Sequence, residues 1–311
     1  MPSRRRAPLA GLLLLAASGL HLAAIIFPFV EMRALLSTST YGLIPSVLML
    51  LDYGMVVLAV LVVAFSIIFP FAKLVVLWLA WNAAEPGPRL GRLVRLAESL
   101  GRWSMLDVFL VLLLLAVTAE QTLVATRPLI GMPCFLGGVL CTMSAGMLLA
   151  GRWAAPPAPE LSARPRSWIF LGLAAACLIG AQGVPVLRTE SLLVEDRDFS
   201  LVDITMAMIS TGNWGLAIAI GGGLVLLPWM TWAAYAYALA AGRSIAVARH
   251  LANWSMLDVF GLALAIFVIE SANAVPSLIA PGAIALFLGV VMRPIALRLS
   301  VRRSEPEPVA T

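Results

Sequence analysis

Long apolar runs separated by short arginine-bearing clusters recur along nearly the whole chain. A helix needs about 20 apolar residues to cross a hydrocarbon core of roughly 30 Å. Runs of that kind are read at 9–30, 54–82, 103–124, 132–150, 168–187, 213–241, 254–273 and 278–299. The expected fold is an all-α polytopic membrane protein with eight transmembrane helices. Two segments break the helical pattern. "VEMRALLSTSTYGL" (30–43) and "RTESLLVEDRDFSL" (188–201) carry β-branched and aromatic residues in partial alternation, which predicts a short extracytoplasmic β-hairpin in each place. Each runs on into an apolar stretch, "IPSVLMLLDYG" or "VDITMAMISTG", expected as a helix at the membrane surface or as an outward extension of the next span.

Composition agrees with this pattern: 61% hydrophobic residues, 12% charged residues and a mean hydropathy of +0.99 exclude a soluble globular domain. Arginine placement sets the expected orientation, because positive residues near span ends are retained in the cytoplasm. Arg4, Arg5 and Arg6 precede the first span; Arg89, Arg92, Arg95 and Arg102, then Arg152, Arg164 and Arg166, then Arg243 and Arg249, and finally Arg302 and Arg303 follow the even-numbered spans. The other side carries only Arg33, Arg127, Arg188 and Arg197. Both termini are therefore expected in the cytoplasm. The net charge of +5 belongs to flanks facing anionic headgroups and calls for no nucleic-acid partner. The first apolar run is too long for a secretory h-region and is read as a span. Cys134, Cys141 and Cys177 lie in or beside apolar spans and form no C-x-x-C, so neither a metal site nor any other cofactor is expected.

The chain also repeats itself. "WSMLDVF" occurs at 103–109 and at 254–260, an offset of 151; Tyr41, Leu43, Gly54 and Pro70 fall on Phe199, Leu201, Gly212 and Pro228 at an offset of 158. Two tandem four-span modules are expected, 1–153 and 168–311, joined by a cytoplasmic proline- and alanine-rich linker over 154–167. An even number of spans per module makes the repeat parallel.

Two readings fit the heptapeptide. Ser104 with Asp107, and Ser255 with Asp258, match a capping box, flanked by Trp103 with Val108 and Trp254 with Val259 as hydrophobic staples. The other reading makes the aspartates part of a polar pathway, since seven residues are kept where a cap would accept several alternatives. Lys73 supports that pathway. It is the one lysine among 21 basic residues and sits about nine residues inside the second span, where an ionisable group is a functional candidate. Asp107 is its nearest expected partner, and Pro70, three residues earlier, is an expected hinge. In the second module Thr231 stands where Lys73 stands in the first, after the matching Pro228. Glu190, Glu195, Asp196, Asp198 and Asp203 are read as a solvated outer face or a docking surface.

With "FPFAKLVVLW" (69–78) and its weaker counterpart "LPWMTWAAYA" (227–236), the doubled heptapeptide resembles the paraquat-inducible protein A family over nearly the whole chain. Better-known members carry C-x-x-C zinc ribbons ahead of their modules, a feature this chain lacks. The resemblance implies a bacterial inner-membrane component that works with a periplasmic MCE-domain protein to move lipids between membranes. The alternative is a passive anchor or scaffold for that conduit. An enzyme is not expected: no nucleophile–base or paired-carboxylate arrangement converges, and the absence of a Walker lysine argues against a bound nucleotide.

Overall fold

A computed structural model describes residues 8–34, 37–52, 54, 56–83, 87–106, 108–110, 113, 124–150, 165–189, 197–210, 212, 214–271 and 277–300. Among them six helices are long and apolar enough to cross a membrane: Pro8–Ile26, Ala59–Asn82, Gly131–Ala150, Pro165–Gly183, Trp214–Ala241 and Ala246–Ile269. Of the two other expected spans, 103–124 runs into undescribed residues after Leu113, and the last helix, Pro281–Ser300, has an apolar part of Pro281–Ala296. The linker over 154–167 lies outside the described residues up to position 164.

The first module begins with α1 (Pro8–Ile26), β1 (Val30–Ala34), β2 (Ser37–Tyr41) and α2 (Leu43–Asp52). Next come α3 (Val56–Val62), a π-helical turn (Val63–Ile68) and α4 (Phe69–Asn82). α5 (Pro88–Gly101), a 3-10 turn (Arg102–Met105), β3 (Val124–Pro128) and α6 (Gly131–Ala150) complete it. The second module repeats the order with α7 (Pro165–Gly183), β4 (Leu187–Thr189), β5 (Arg197–Phe199), α8 (Leu201–Ser210), α9 (Trp214–Ile220) and a π-helical turn (Gly221–Leu226). α10 (Leu227–Ala241), α11 (Ala246–Trp254), α12 (Leu257–Ser271), β6 (Ser277–Ile279) and α13 (Pro281–Ser300) follow.

Where the local pattern predicts a hairpin, the fold holds a three-stranded antiparallel sheet in each module, ordered β2-β1-β3 and β5-β4-β6. Val30 pairs with Tyr41 on one side and Pro128 on the other; Leu187 pairs with Phe199 and Ile279. The third strand comes from the connection between the third and fourth expected spans of each module, where the sequence pattern predicts no strand. Such a partner, about 90 residues away in sequence, leaves no local periodicity to read.

Glycine permits the same close approach at the sheet end of both modules. Gly131 donates its N–H to the Pro28 carbonyl at 3.0 Å and Gly282 to that of Pro185 at 2.8 Å, and a Cβ on either glycine would overlap those carbonyls. This contact seats α6 against α1 and α13 against α7. α5 packs along α4 and α6 with Gly91, Val94, Ala97 and Gly101 buried at helical spacing, while Arg89, Arg92 and Arg95 are exposed.

Candidate functional site

The element that organises the first module is the π-helical turn ahead of Pro70. Phe69 donates its N–H to the Ala64 carbonyl, five residues back. The next bond of that ladder would join residue 70 to Phe65, but proline has no N–H to give. Ser104, the serine of the repeated heptapeptide, donates its hydroxyl to this Phe65 carbonyl at 3.2 Å. It therefore satisfies an acceptor on another helix. In the second module Met256 faces Gly223, which matches Phe65 at the 158 offset, so the heptapeptide again lies against the π-helical turn. There the acceptors freed before Pro228 are met from α7: Gln182 donates Nε2–H to the Leu224 and Val225 carbonyls at 3.3 and 3.2 Å, and accepts from Trp229 Nε1 at 2.8 Å.

These placements differ from the capping-box expectation. Ser104 lies inside a 3-10 turn, and Asp107 is outside the described residues. Ser255 is buried and closes α11, while α12 opens with the Phe260 N–H bonded to the Met256 carbonyl, one residue beyond Ser255. Asp258 is in the first turn of α12, at the end where the helix dipole favours a carboxylate. A capping box does form elsewhere. Asp203 Oδ2 accepts from the Ser200 N–H at 2.9 Å and hydroxyl at 2.6 Å, and Asp203 N–H returns to Ser200 Oγ at 3.2 Å. Asp203 is thus a cap for α8, and Asp198 holds Arg188 through two hydrogen bonds of 2.7 and 2.8 Å. Glu190, Glu195 and Asp196 are outside the described residues.

The two heptapeptides also meet each other. Phe109 and Phe260, their last residues, pack edge to face with centroids 5.6 Å apart. Met105, Leu106 and Val108 share one continuous core with Met256, Leu257 and Val259, with Trp103 and Trp254 packed against it. Trp254 also points its ring N–H at Met147 Sδ of the first module, 3.1 Å away.

Lys73 is 3% exposed in the interior of the first module. Its ammonium lies against Gly101, where a Cβ would overlap Nζ, and it is coupled electrostatically to Glu98 on α5 and to His21 on α1. Glu98 is half-buried beside Gly146 of α6. Burial pushes its carboxyl above the usual range, with Lys73 acting in the opposite sense. His21 is buried against Gly138 with its ring edge-on to Phe71 and Phe135. Its Nδ1–H donates to the Ala17 carbonyl at 2.8 Å, and among the described residues Nε2 has no hydrogen-bond partner.

The second module keeps none of this set. Thr231, 0% exposed, donates its hydroxyl to the Leu227 carbonyl of its own helix at 2.7 Å. At the offset of 151, Glu98 and Gly101 fall on Arg249, which is exposed, and Ala252. At 157, the offset from Pro28 to Pro185, His21 falls on Leu178. The methyl at 252 is compatible with a threonine at 231 but not with a lysine packed as Lys73 is.

A family model described as "Paraquat-inducible protein A" matches residues 9–154 and 165–304, one module each. The chain belongs to this family. Relatives named Intermembrane transport protein PqiA, from Escherichia coli strains K12 and CFT073 and from Shigella flexneri, are each 30% identical over 153 residues. That match covers 48% of this chain and 37% of each relative. No solved structure matches.

Within this paraquat-inducible protein A family member, the sequence singled out Lys73, Ser104 and the two prolines but missed Glu98, His21, Gly101 and Gln182. Glu98 looks like one more charge of a polar loop. Only the packing of α5 against α4 and α6 turns it inward. Gln182 was legible as an isolated amide in an apolar run, a position where hydrocarbon offers no partner.

Proposed function

We propose that the chain is an inner-membrane component of an intermembrane lipid transport system, moving phospholipid-like lipids to or from a periplasmic MCE-domain protein. The reading takes eight spans, two parallel modules and cytoplasmic termini. The observation that carries it is a buried lysine coupled to a carboxylate in one module and replaced by threonine in the other. A desolvated ammonium near a half-buried carboxylate contributes little net stability compared with apolar packing, so a purely structural scaffold gains little from keeping it. Lysine can release its proton in such surroundings and arginine cannot. Lys73 with Glu98, and His21 beside them, form the polar lining whose charge state changes during transport. The names of the relatives, which refer to intermembrane transport, support the same reading.

The shared core built by the two heptapeptides favours a second reading, a passive scaffold for the conduit. Complementation of a transport-deficient strain, with membrane abundance controlled, separates the two. Lys73→Arg and Lys73→Ala are both expected to fail in lipid transfer while the protein accumulates normally. Full complementation by either variant would overturn the transport role of Lys73 and leave the scaffold. Single-cysteine labelling in a background without native thiols tests the orientation: residue 95 is expected to react only from the cytoplasmic side.

A further inference from the structure

Glu98, Lys73 and His21 stand in file along the interior of the first module. On α6, Gly138, Thr142 and Gly146 recur every four residues, all buried, so they share one face of the helix. His21 lies against Gly138 and Glu98 beside Gly146, which separates them by roughly 12 Å of helical rise. α4 gives the same order. Phe71 meets the His21 ring, Leu77 shares the Gly146 contact with Glu98, and Lys73 falls between Phe71 and Leu77. Gly146 is four residues from the end of α6 remote from the sheet, and His21 is five residues from the end of α1 that leads into it. The file thus runs along the bundle axis.

Space for each member is left by a glycine: a Cβ at Gly101 or Gly138 would overlap the Lys73 ammonium or the His21 ring, and one at Gly146 would press on Glu98. Apart from Lys73 and Glu98, the charged side chains of α1, α4, α5 and α6 are Arg89, Arg92 and Arg95, and all three are exposed. On α6 the one polar group at the middle level is the buried Thr142, whose hydroxyl donates to the Val139 carbonyl at 2.8 Å. At the offsets already given, the second module has Leu178, Thr231 and Arg249 for the three members and Leu297 for Gly146. It holds no such file.

His21 indicates what the file does. Its Nδ1–H is committed to the Ala17 carbonyl, so Nε2 carries the lone pair, and among the described residues this buried atom has no hydrogen-bond partner. A buried acceptor left without a donor costs stability and calls for an explanation. An imidazole with one nitrogen anchored and the other open is suited to accept and pass on a proton. Lysine adds a flexible four-carbon stem that carries its amine between neighbours.

We propose that Glu98, Lys73 and His21 conduct protons through the first module. The path rests on the reading of Lys73 as a group that changes charge, and it names the proton donor and acceptor on either side. The Lys73 ammonium passes a proton to the Glu98 carboxylate, which releases it to water at the end remote from the sheet. The uncharged amine then swings to His21 and takes the proton that Nε2 has gained from a hydronium ion on the sheet side. One proton has crossed, and all three groups are back in their starting states.

The test is proton flux into liposomes holding the full chain, read from an entrapped pH-sensitive dye under a potassium diffusion potential. Wild type is expected to exceed protein-free liposomes, with flux falling about a hundredfold in His21→Gln and in Glu98→Gln, which keep polar side chains that take no proton. Arg249→Gln, at the exposed counterpart of Glu98, is expected to conduct like the wild type. If His21→Gln does not fold, Glu98→Gln tests the other end of the same file. A wild type no faster than protein-free liposomes would overturn the proposal, as would wild-type flux in Glu98→Gln. A conducting wild type whose Lys73→Arg variant still complements lipid transfer would leave the file standing and remove the transport reading. Flux indifferent to both glutamine variants, with lipid transfer lost in Lys73→Ala, would overturn the file and leave the transport reading.

Discussion

Phe109 and Phe260 close the two copies of "WSMLDVF" and touch each other edge to face across the module boundary, each about 1% exposed or less. The repeat thus supplies both halves of one contact, and identical residues are what a pseudo-symmetric contact requires. Either Phe→Ala change is expected to cost about 3–5 kcal/mol, the range for a buried phenylalanine. The double change should cost less than the sum, because both singles remove the same contact. Thermal unfolding in detergent measures this; strictly additive losses would mean that the rings do not support one another.

Ser104→Ala should leave the Phe65 carbonyl without its donor, at a cost of about 1–3 kcal/mol. Gln182→Leu should cost more, because it strands the Leu224 and Val225 carbonyls and the Trp229 N–H together. Amide exchange is expected to rise over 63–68 in the first variant and over 221–226 in the second. Exchange unchanged at both turns would show that these side chains do not hold the π-helical geometry.

Gly101→Ala places a methyl where the Lys73 ammonium now lies. Lower thermal stability and loss of lipid transfer are expected together. Adding Lys73→Thr recreates the combination of Ala252 with Thr231 and should restore stability without restoring transfer. A fully active Gly101→Ala protein would refute the packing of Lys73 against this glycine.

Glu98 has a carboxyl raised above its ordinary value of 4.5. The folded state therefore holds this proton more tightly than the unfolded chain does. Its contribution to stability is present below that ordinary value and is lost as pH rises through the folded one. The wild type is expected to lose thermal stability over that window and Glu98→Gln to show a flatter profile. Parallel pH profiles would place the carboxyl in a solvent-like setting. In transport, Glu98→Gln should be as damaging as Asp107→Asn, and Asp258→Asn milder, since the second module has Thr231 in place of the lysine.

Hydropathy alone established a helical membrane chain, because hydrocarbon thickness imposes a run length that no other setting demands. Self-comparison exposed the duplication, and the lone lysine marked the first module as chemically distinct. Both are one-dimensional properties. Tertiary structure decided the partners. The third strand of each sheet, the handover of Ser104 from its own helix end to Phe65, and the inward turn of Glu98 all depend on which helices pack together. A hydroxyl bonds whichever acceptor lies nearest in space, and at the second span that acceptor was created by a proline 34 residues before Ser104. Sequence spacing ranks neighbours along a helix. Packing of the bilayer-spanning helices, with every backbone acceptor needing a donor from within the protein, determines the neighbours between them.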